Sequence, residues 1–382
     1  MAHPIRAIAA IAATSLLPLL HPMNTHGYAL EARGLLKTYG QPIHENITRK
    51  AATDAKLLSD EVFVRQGLKS KQEISAAQKS VIKALIEGVR FNDDPEGYLL
   101  PGTAASKRLN PTRFSPALGF AVEFVDLIKD RAHDPTTASH FGEYQYLHAM
   151  GSANMTPQQI KEKIERFSYH CWKMATEPDS FESFKKAYDA VSKKIEAERD
   201  AEPNEANYTP YEFLIRKTVS LFPKNVLFFH ATNQIQFQYR ALGALLHLIQ
   251  DSYSKAHVVR IGWENGDNSG KIRYFQDYSQ QDSNAHGELD HLDHGSPAGD
   301  GFLKVPGTAM AVERSKQILE KFLLNCPWSD AELVQHPQCE QSVSSLISDD
   351  IFAMDDGEAA ESRATRTHPT LVKPEPAIPN GG

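Results

Sequence analysis

Two histidines and an aspartate lie in an otherwise apolar stretch, ALGALLHLIQDSYSKAH, at residues 241–257. His247 and Asp251 are four residues apart, so on a helix they share one face, one turn apart. Imidazole and carboxylate groups both bind zinc, and a carboxylate can bridge two ions. His257 follows near the predicted helix end, from where it can reach a separate ion. A metal site explains this stretch, and so does a buried His–Asp pair in a helical core.

A second pair with the same spacing lies downstream, in SNAHGELDHLDHGSP. His286 and Asp290 are again four residues apart, and with His257 they would form a three-ligand zinc set with an open fourth position. His291 and His294 crowd the same segment, either as partners that orient ligating imidazoles or as part of a solvated loop. The repeated spacing favours the metal interpretation of both stretches.

The composition limits the class of protein. The 382 residues include 16 histidines, carry a formal net charge of −7 and are 41% hydrophobic. This apolar fraction is sufficient for a sizeable core, and the negative charge argues against a general nucleic-acid scaffold, which usually has a basic patch. Histidine is the commonest metal-binding side chain, so its high number is consistent with a metal site.

The N-terminus has the pattern of an export signal. Arg6 precedes the apolar run AIAAIAATSLLPLL, which is too short to span a bilayer, and small residues end at Ala29. A buried N-terminal helix is the alternative. We predict a signal peptide over residues 1–29, one domain over residues 30–354, and a disordered tail over residues 355–382. No later segment has the length and apolarity of a membrane span, so we expect a secreted or periplasmic protein.

Three cysteines are compatible with two arrangements in an exported protein. Cys326 and Cys339 can close a local disulfide and leave Cys171 free, or all three can be free thiols. They are too scattered along the chain to form a zinc knuckle by themselves.

The elements that must position the histidines are predicted to be helices. Apolar residues recur at helical spacing over residues 73–90, and Thr156 with Pro157 is a helix start signal. The candidate metal-binding stretch belongs to a helix that begins near Ala231. Other helices are predicted in HENITRKAA, SPALGFAVEFVDLIKD, SFESFKKAYDAVSKKIEAERD, TPYEFLIRKTVSLF, GTAMAVERSKQILEKFLL and CEQSVSSLISDDIFAM. The best candidate strand is KIRYFQDY, so the predicted fold class is all-α, a single domain with long loops.

The order of these motifs resembles the zinc-dependent phospholipase C family, whose fold is shared with single-strand-specific zinc nucleases. The resemblance depends most on the His-x3-Asp-x5-His run at residues 247–257, followed by His286-x3-Asp290. That family is nearly all-α and binds three zinc ions in a cleft. The similarity runs from about His44 to Asp290 as ordered motifs rather than as continuous identity.

The resemblance implies further ligands near the mature N-terminus. His44, in QPIHENITRKAA, has the setting of the family's early histidine, which leads into a helix. Cleavage after Ala29 would make the amino group of Leu30 the N-terminal ligand, at a position where the family has Trp.

Two more family positions each have two candidates in this chain. The remaining histidine is His148 or His140, and His148 is preferred because it precedes a short loop and then the next helix. The family's aspartate lies in an Asp-Pro context, which Asp94 matches, with Asp93 as the rival.

The resemblance implies up to three zinc ions. The first ion would be held by His148, His247 and Asp251; the second by Asp251, His44 and the amine of Leu30; the third by His257, His286 and Asp290. Zinc ions in such a centre polarise phosphoryl oxygens and activate water, and Asp94 would orient or deprotonate that water.

The activity implied is hydrolysis of phosphatidylcholine-like phospholipids at a membrane surface, to diacylglycerol and a phosphorylated head group. The stretches QDSYSKAHVVR and QYLHAMG resemble larger exported bacterial phospholipases C, whereas His286-x3-Asp290 leans toward the nucleases. Two alternatives therefore stay open: a single-strand-specific zinc nuclease, for which nucleic acid is the substrate, and a non-catalytic metal-binding relative.

Overall fold

The computed structural model describes residues 43–93, 144–151, 155–197, 231–263, 269–277 and 299–355. Several sequence predictions lie outside these residues: the signal peptide, the tail beyond Asp355, and the helices predicted in SPALGFAVEFVDLIKD and TPYEFLIRKTVSLF. The same is true of seven named residues, which are Leu30, Asp94, His140, His286, Asp290, His291 and His294.

The described part of the chain is mostly helical, which confirms the predicted fold class. Its helices are α1 Ile43–Asp54, α2 Asp60–Arg65, α3 Lys71–Val89, α4 Pro157–Thr176, α5 Ser180–Ala197, α6 Gln234–Asp251 and α7 Thr308–Leu323. Shorter 3₁₀ turns are formed by Gln145–His148, Gly299–Lys304 and Asp330–Gln335, and a helical turn at Val343–Ser345 continues as a π-helical turn, Leu346–Ile351. The strands β1 Val258–Arg260 and β2 Ile272–Phe275 pair antiparallel, which confirms the candidate strand.

Capping side chains explain where two of the helices begin. The Thr156 hydroxyl accepts a hydrogen bond from the backbone N–H of Gln159, whose side chain accepts one from the Thr156 N–H. This reciprocal pair, followed by Pro157, confirms the predicted start of α4. Asn233 caps α6, so that helix begins a few residues later than the predicted position near Ala231.

The central element of the core is α6, which packs against α3, α4 and α7. Every residue of its last three turns, 239–251, is buried. Helix α3 crosses α6 closely because each helix has a glycine at the crossing. A Cβ atom at Gly88 would overlap the carbonyl of Arg240, and one at Gly243 would overlap the carbonyl of Leu85. The crossing brings the end of α3 against the last turns of α6.

Two ion pairs connect α3 to its neighbours α1 and α6. Arg90, at the end of α3, lies 2.9 Å from the buried carboxylate of Glu45 on α1. Arg240, on α6, lies 2.6 Å from Glu87 on α3. Removing one partner of such a pair leaves an uncompensated charge in the interior, so both pairs oppose any change in how α1, α3 and α6 meet.

The C-terminal segment crosses behind β2 and α6. The Ile272 N–H donates to the Ala353 carbonyl, and the buried Arg260 guanidinium donates to the carbonyls of Ile351 and Ser252. Ser252 directly follows the end of α6, so the C-terminal segment also supports the end of that helix.

Of the two arrangements compatible with the sequence, the structure has the local disulfide Cys326–Cys339, with Cys171 as a free thiol. Burial raises the pKa of the Cys171 thiol well above its usual value, so this cysteine is a packing residue. Among the described helices, none combines the length and apolarity that crossing a bilayer requires.

Candidate metal centre

The last turn of α6 presents two side chains on one face. His247 Nε2 lies 2.9 Å from Asp251 Oδ2, as the four-residue spacing predicts, and both side chains are fully buried. The helix ends at Asp251, and His257 lies beyond a turn, immediately before β1. The last turn of α6 therefore contributes two of the side chains of the cluster.

His148 joins the cluster from the 3₁₀ turn Gln145–His148. Its Nδ1 lies 2.9 Å from Asp251 Oδ2 and 3.2 Å from His247 Nε2. The turn ends abruptly because Ala149 has a φ of 51°, in the left-handed region. Asn92 fixes the turn to α6, because its amide donates to the carbonyls of Leu147 and Ala244 at 2.6 and 3.3 Å.

Asp93 lies beside His148 and His247. Its Oδ1 is 3.6 Å from His148 Nδ1 and 3.8 Å from His247 Nε2, and the residue is buried. Asp93 reaches this position from the turn that follows α3, just past the close crossing of α3 with α6. The structure therefore brings the rival aspartate to the cluster, while Asp94 lies outside the described residues.

His44, on the first turn of α1, approaches the other oxygen of Asp251. Its Nε2 lies 3.2 Å from Asp251 Oδ1, and its ring stacks on the ring of His247 with centroids 4.0 Å apart. The two oxygens of Asp251 thus face different imidazoles: Oδ1 faces His44, and Oδ2 faces His148 and His247. A carboxylate in this position can bridge two metal ions.

Backbone carbonyls set the orientation of two of the imidazoles. His247 Nδ1 lies 2.6 Å from the Val89 carbonyl, and His257 Nδ1 lies 2.6 Å from the His148 carbonyl. A carbonyl can only accept, so each Nδ1 carries the proton and each Nε2 is left as the metal-binding nitrogen. For His247 that nitrogen faces Asp251. For His257, the nitrogen that lies 3.6 Å from Asp251 Oδ2 is the protonated Nδ1, so an ion would bind at Nε2.

The spacing of the ligand atoms suits a metal ion. Three sets have mutual separations within 4.8 Å: His44–His247–Asp251, Asp93–His148–His247 and His148–Asp251–His257. Ligand atoms bound tetrahedrally at about 2.0–2.2 Å from an ion lie about 3.3–3.6 Å from one another. The atom pairs above are 2.9 to 3.8 Å apart, so buried groups at metal-binding distances occupy this part of the core.

The protonation states favoured by the fold also suit a metal ion. Burial lowers the pKa values of His148 and His247 to about 4, and it lowers the pKa of His257 as well. Burial alone would raise the pKa of Asp251, but the surrounding histidines hold it well below its usual range. At neutral pH an ionised Asp251 is therefore combined with neutral imidazoles of His148, His247 and His257, the form in which histidine binds a cation.

Two polar residues at the cluster have no counterpart among the sequence predictions. Asn92 connects the His148 turn to α6, as described above, and Gln250 contacts His44, since His44 Nδ1 lies 2.7 Å from Gln250 Oε1. A fully buried glutamine within an apolar helix was the available signal, because buried polar groups need hydrogen-bond partners.

A scan against protein-family models finds no matching family, and searches of curated proteins and of solved structures find no match either. The functional interpretation therefore starts from the geometry of the cluster and from the order of its residues in the sequence.

Proposed function

We propose that this chain is an exported zinc-dependent phospholipase C, a phosphoric ester hydrolase. Its expected reaction converts phosphatidylcholine-like phospholipids to diacylglycerol and a phosphorylated head group. The observation that carries the proposal is the position of Asp251, whose Oδ1 lies 3.2 Å from His44 and whose Oδ2 lies 2.9 Å from His148 and His247. A bridging carboxylate of this kind can hold two ions about 3.5–4 Å apart, the arrangement typical of phosphoester hydrolysis.

The described ligands divide into two sets in this proposal. The first set comprises His148, His247 and Asp251, and the second comprises His44 and Asp251. From the sequence, the amine of Leu30 would complete the second set, and a third set would comprise His257, His286 and Asp290. Bound zinc would polarise the phosphoryl oxygens and lower the pKa of a water molecule toward neutrality.

The protein's own groups would then control where the water and its proton go. In the hydrolysis, the water oxygen bonds to phosphorus, the bond from phosphorus to the glycerol oxygen breaks, and diacylglycerol leaves with a proton. Asp93 is the described carboxylate that can orient the water or accept its proton, since it lies beside His148 and His247. Asp94 is the alternative base that the sequence favours.

Burial strengthens this chemistry. The side chains of His44, His148, His247 and Asp251 are all fully buried. In such an environment charges interact more strongly than in water, and imidazoles of low pKa stay neutral at the pH of the reaction. The cluster is therefore prepared to bind cations before substrate arrives.

Export is part of the proposal because two features support it independently. The disulfide Cys326–Cys339 is typical of proteins that fold in an oxidising compartment. The pattern of residues 1–29 is that of a signal peptide. A secreted or periplasmic enzyme would meet phospholipid at a membrane surface.

The test is hydrolysis by one protein preparation in three metal states. The purified protein is assayed as isolated, after removal of metal with a chelator, and after re-addition of zinc, on phosphatidylcholine vesicles and on a chromogenic phosphocholine ester. We expect activity that chelation abolishes and zinc restores. Metal-replete protein that releases neither diacylglycerol nor phosphocholine would contradict the proposal.

Single-stranded DNA belongs in the same experiment, because the spacing His286-x3-Asp290 favours a nuclease. Zinc-dependent cleavage of DNA without lipid hydrolysis would replace the phospholipase by the nuclease. Tight metal binding without either activity would identify a non-catalytic metal-binding protein.

A further inference from the structure

Gln250 connects three helices beneath the candidate metal centre. It is fully buried on α6, directly before Asp251. Its Oε1 lies 2.7 Å from His44 Nδ1 on α1, and its Nε2 donates to the Thr48 hydroxyl, also on α1, at 2.8 Å. The same Nε2 lies 3.4 Å from the hydroxyl of Ser315 on α7.

The orientation of the Gln250 amide determines which nitrogen of His44 carries a proton. Since Nε2 of Gln250 is directed at the two hydroxyls, its oxygen faces His44 and can only accept a hydrogen bond. His44 Nδ1 therefore carries the proton. This leaves the lone pair of His44 Nε2 directed toward Asp251 Oδ1, 3.2 Å away.

A reversed amide would have the opposite effect. Its NH₂ group would face His44 Nδ1, which could then only accept, and the neutral imidazole would carry its proton on Nε2. That proton would point at Asp251 Oδ1, where it would block a cation from sharing the two atoms. In the observed orientation the hydroxyls of Thr48 and Ser315 accept from the amide nitrogen, and they thereby support the arrangement in which His44 Nε2 carries no proton.

We propose that Gln250 is a positioning residue that fixes the tautomer and direction of His44, and so sets the affinity of the metal ion shared by His44 and Asp251. This inference rests on the proposed metal centre. It assigns to a side chain the task that backbone carbonyls perform for His247 and His257. Hydrogen-bond partners behind a ligating histidine orient the ring and raise its basicity.

The first test measures metal affinity in variants that separate shape from hydrogen bonding. Gln250→Met keeps the length of the side chain but removes the acceptor, whereas Gln250→Glu keeps an acceptor toward His44. Gln238→Met is the matched control on the same helix, because Gln238 Nε2 donates to the Glu177 carbonyl, away from the cluster. Each protein is equilibrated with zinc over a range of free concentrations set by a chelator, and bound zinc is counted by elemental analysis.

We expect Gln250→Met to require about 10–100-fold more free zinc to fill the site shared by His44 and Asp251, since loss of such a hydrogen-bond partner typically lowers metal affinity by that factor. Gln250→Glu should bind at least as tightly as the wild-type protein, and Gln238→Met should match it. Rescue by glutamate would show that the acceptor, rather than the packing of residue 250, sets the affinity.

The second test reads the tautomer of His44 directly, by ¹⁵N NMR of the imidazole in metal-free protein. Wild-type protein and Gln250→Glu should show the proton on Nδ1, whereas Gln250→Met should show a mixture of tautomers. Thr48→Val removes the partner of the amide but not the acceptor, so it should shift the population partway.

The outcomes separate this inference from the proposed function. A wild-type protein that binds no divalent metal contradicts the proposed function itself. A wild-type protein that binds zinc, with Gln250→Met binding it equally tightly, overturns the role of Gln250 alone. If Gln250→Met does not fold, the other two variants decide: loss of zinc in Gln250→Glu, or an unchanged His44 tautomer in Thr48→Val, overturns the inference.

Discussion

The two oxygens of Asp251 face sides of the core that are built differently. On the Oδ2 side, His247 Nδ1 donates directly to the Val89 carbonyl, and Asn92 connects the His148 turn to α6 by donating to the carbonyls of Leu147 and Ala244. On the Oδ1 side, His44 is fixed by a side chain, Gln250, which depends in turn on hydroxyl groups. The His247 ring thus depends directly on the backbone of α3, whereas the His44 ring depends on a side chain that hydroxyl groups hold in turn.

The difference predicts how each side responds to change. A substitution cannot delete a backbone carbonyl, so the orientation of His247 is altered only by replacing His247 itself or by shifting α3 against α6. The Oδ1 side can be altered by a single side chain that touches no metal. We therefore expect ligand substitutions to have the largest effects and helix-packing changes to have the smallest effects.

The most severe change removes the carboxylate that both sides share. Asp251→Asn should lower hydrolysis by about a thousandfold or more, because a catalytic metal ion supplies several kcal/mol of charge stabilisation and 1.36 kcal/mol corresponds to a factor of ten. Bound zinc, counted by elemental analysis, should fall on both sides of the residue. Asp54→Asn is the control, since Asp54 pairs with Lys50 at the surface. Full zinc content in Asp251→Asn would contradict the bridging role.

Single histidine substitutions should divide the two sides. His247→Ala should abolish hydrolysis and most zinc binding, because His247 Nε2 lies near both Asp251 and Asp93. His44→Ala should lose the ion on the Oδ1 side and keep the one on the Oδ2 side. Zinc titration followed by elemental analysis distinguishes the two patterns. Identical zinc losses in the two variants would mean that the cluster is one indivisible site.

The sequence predicted the parts of the centre that are local. The helical spacing of His247 and Asp251, the helix end before His257, and the start of α4 at Thr156 all depend on residues within a few turns of one another. These features are decided by backbone geometry and capping, which a short stretch of sequence contains. They are correspondingly present in the structure.

The sequence could not predict the parts that depend on tertiary packing. His44 meets Gln250 across 206 positions of the chain, and no local pattern encodes that contact. Asp93 reaches the cluster because two glycines let α3 and α6 approach, whereas the Asp-Pro context alone favoured its neighbour Asp94. Long-range crossings of this kind decide which of several adjacent polar residues reach a site.

Acid should destabilise the metal-free protein through the imidazoles of the Oδ2 side, together with His170 on α4, whose pKa burial also lowers to about 4. The pKa values of His148 and His247 are lowered to about 4 from an ordinary 6.5, so between these values the unfolded chain binds more protons than the folded one. Stability is therefore lost as the pH falls through this window, by up to about 1.4 kcal/mol per pH unit for each histidine. Asp251, whose pKa is lowered, contributes to this loss only below its own ordinary value of 3.8.

Denaturant titrations of metal-free protein between pH 7 and pH 4.5 measure this loss. His148→Gln, which replaces one of the two imidazoles by a group that does not titrate, should show a slope shallower by up to about 1.4 kcal/mol per pH unit. An unchanged slope would mean that other groups control the response to acid.

The smallest effect should come from the crossing of α3 and α6, and its sign is the test. Alanine at a helix-interior glycine normally stabilises by about 0.5–1 kcal/mol. A Cβ at residue 243, however, would overlap the Leu85 carbonyl, and backbone atoms cannot move aside as a flexible side chain can. Gly243→Ala should therefore lower the free energy of unfolding, by about 1–3 kcal/mol, as substitutions that overpack a core do.

The same substitution should also affect the metal centre. Because the helices must separate, the Val89 carbonyl should withdraw from His247 Nδ1 and weaken zinc binding on the Oδ2 side, while Gln250 still holds His44. Denaturant midpoints and zinc titration of the variant measure both effects, and a stabilised protein with unchanged zinc affinity would show that the glycine crossing does not set the position of His247.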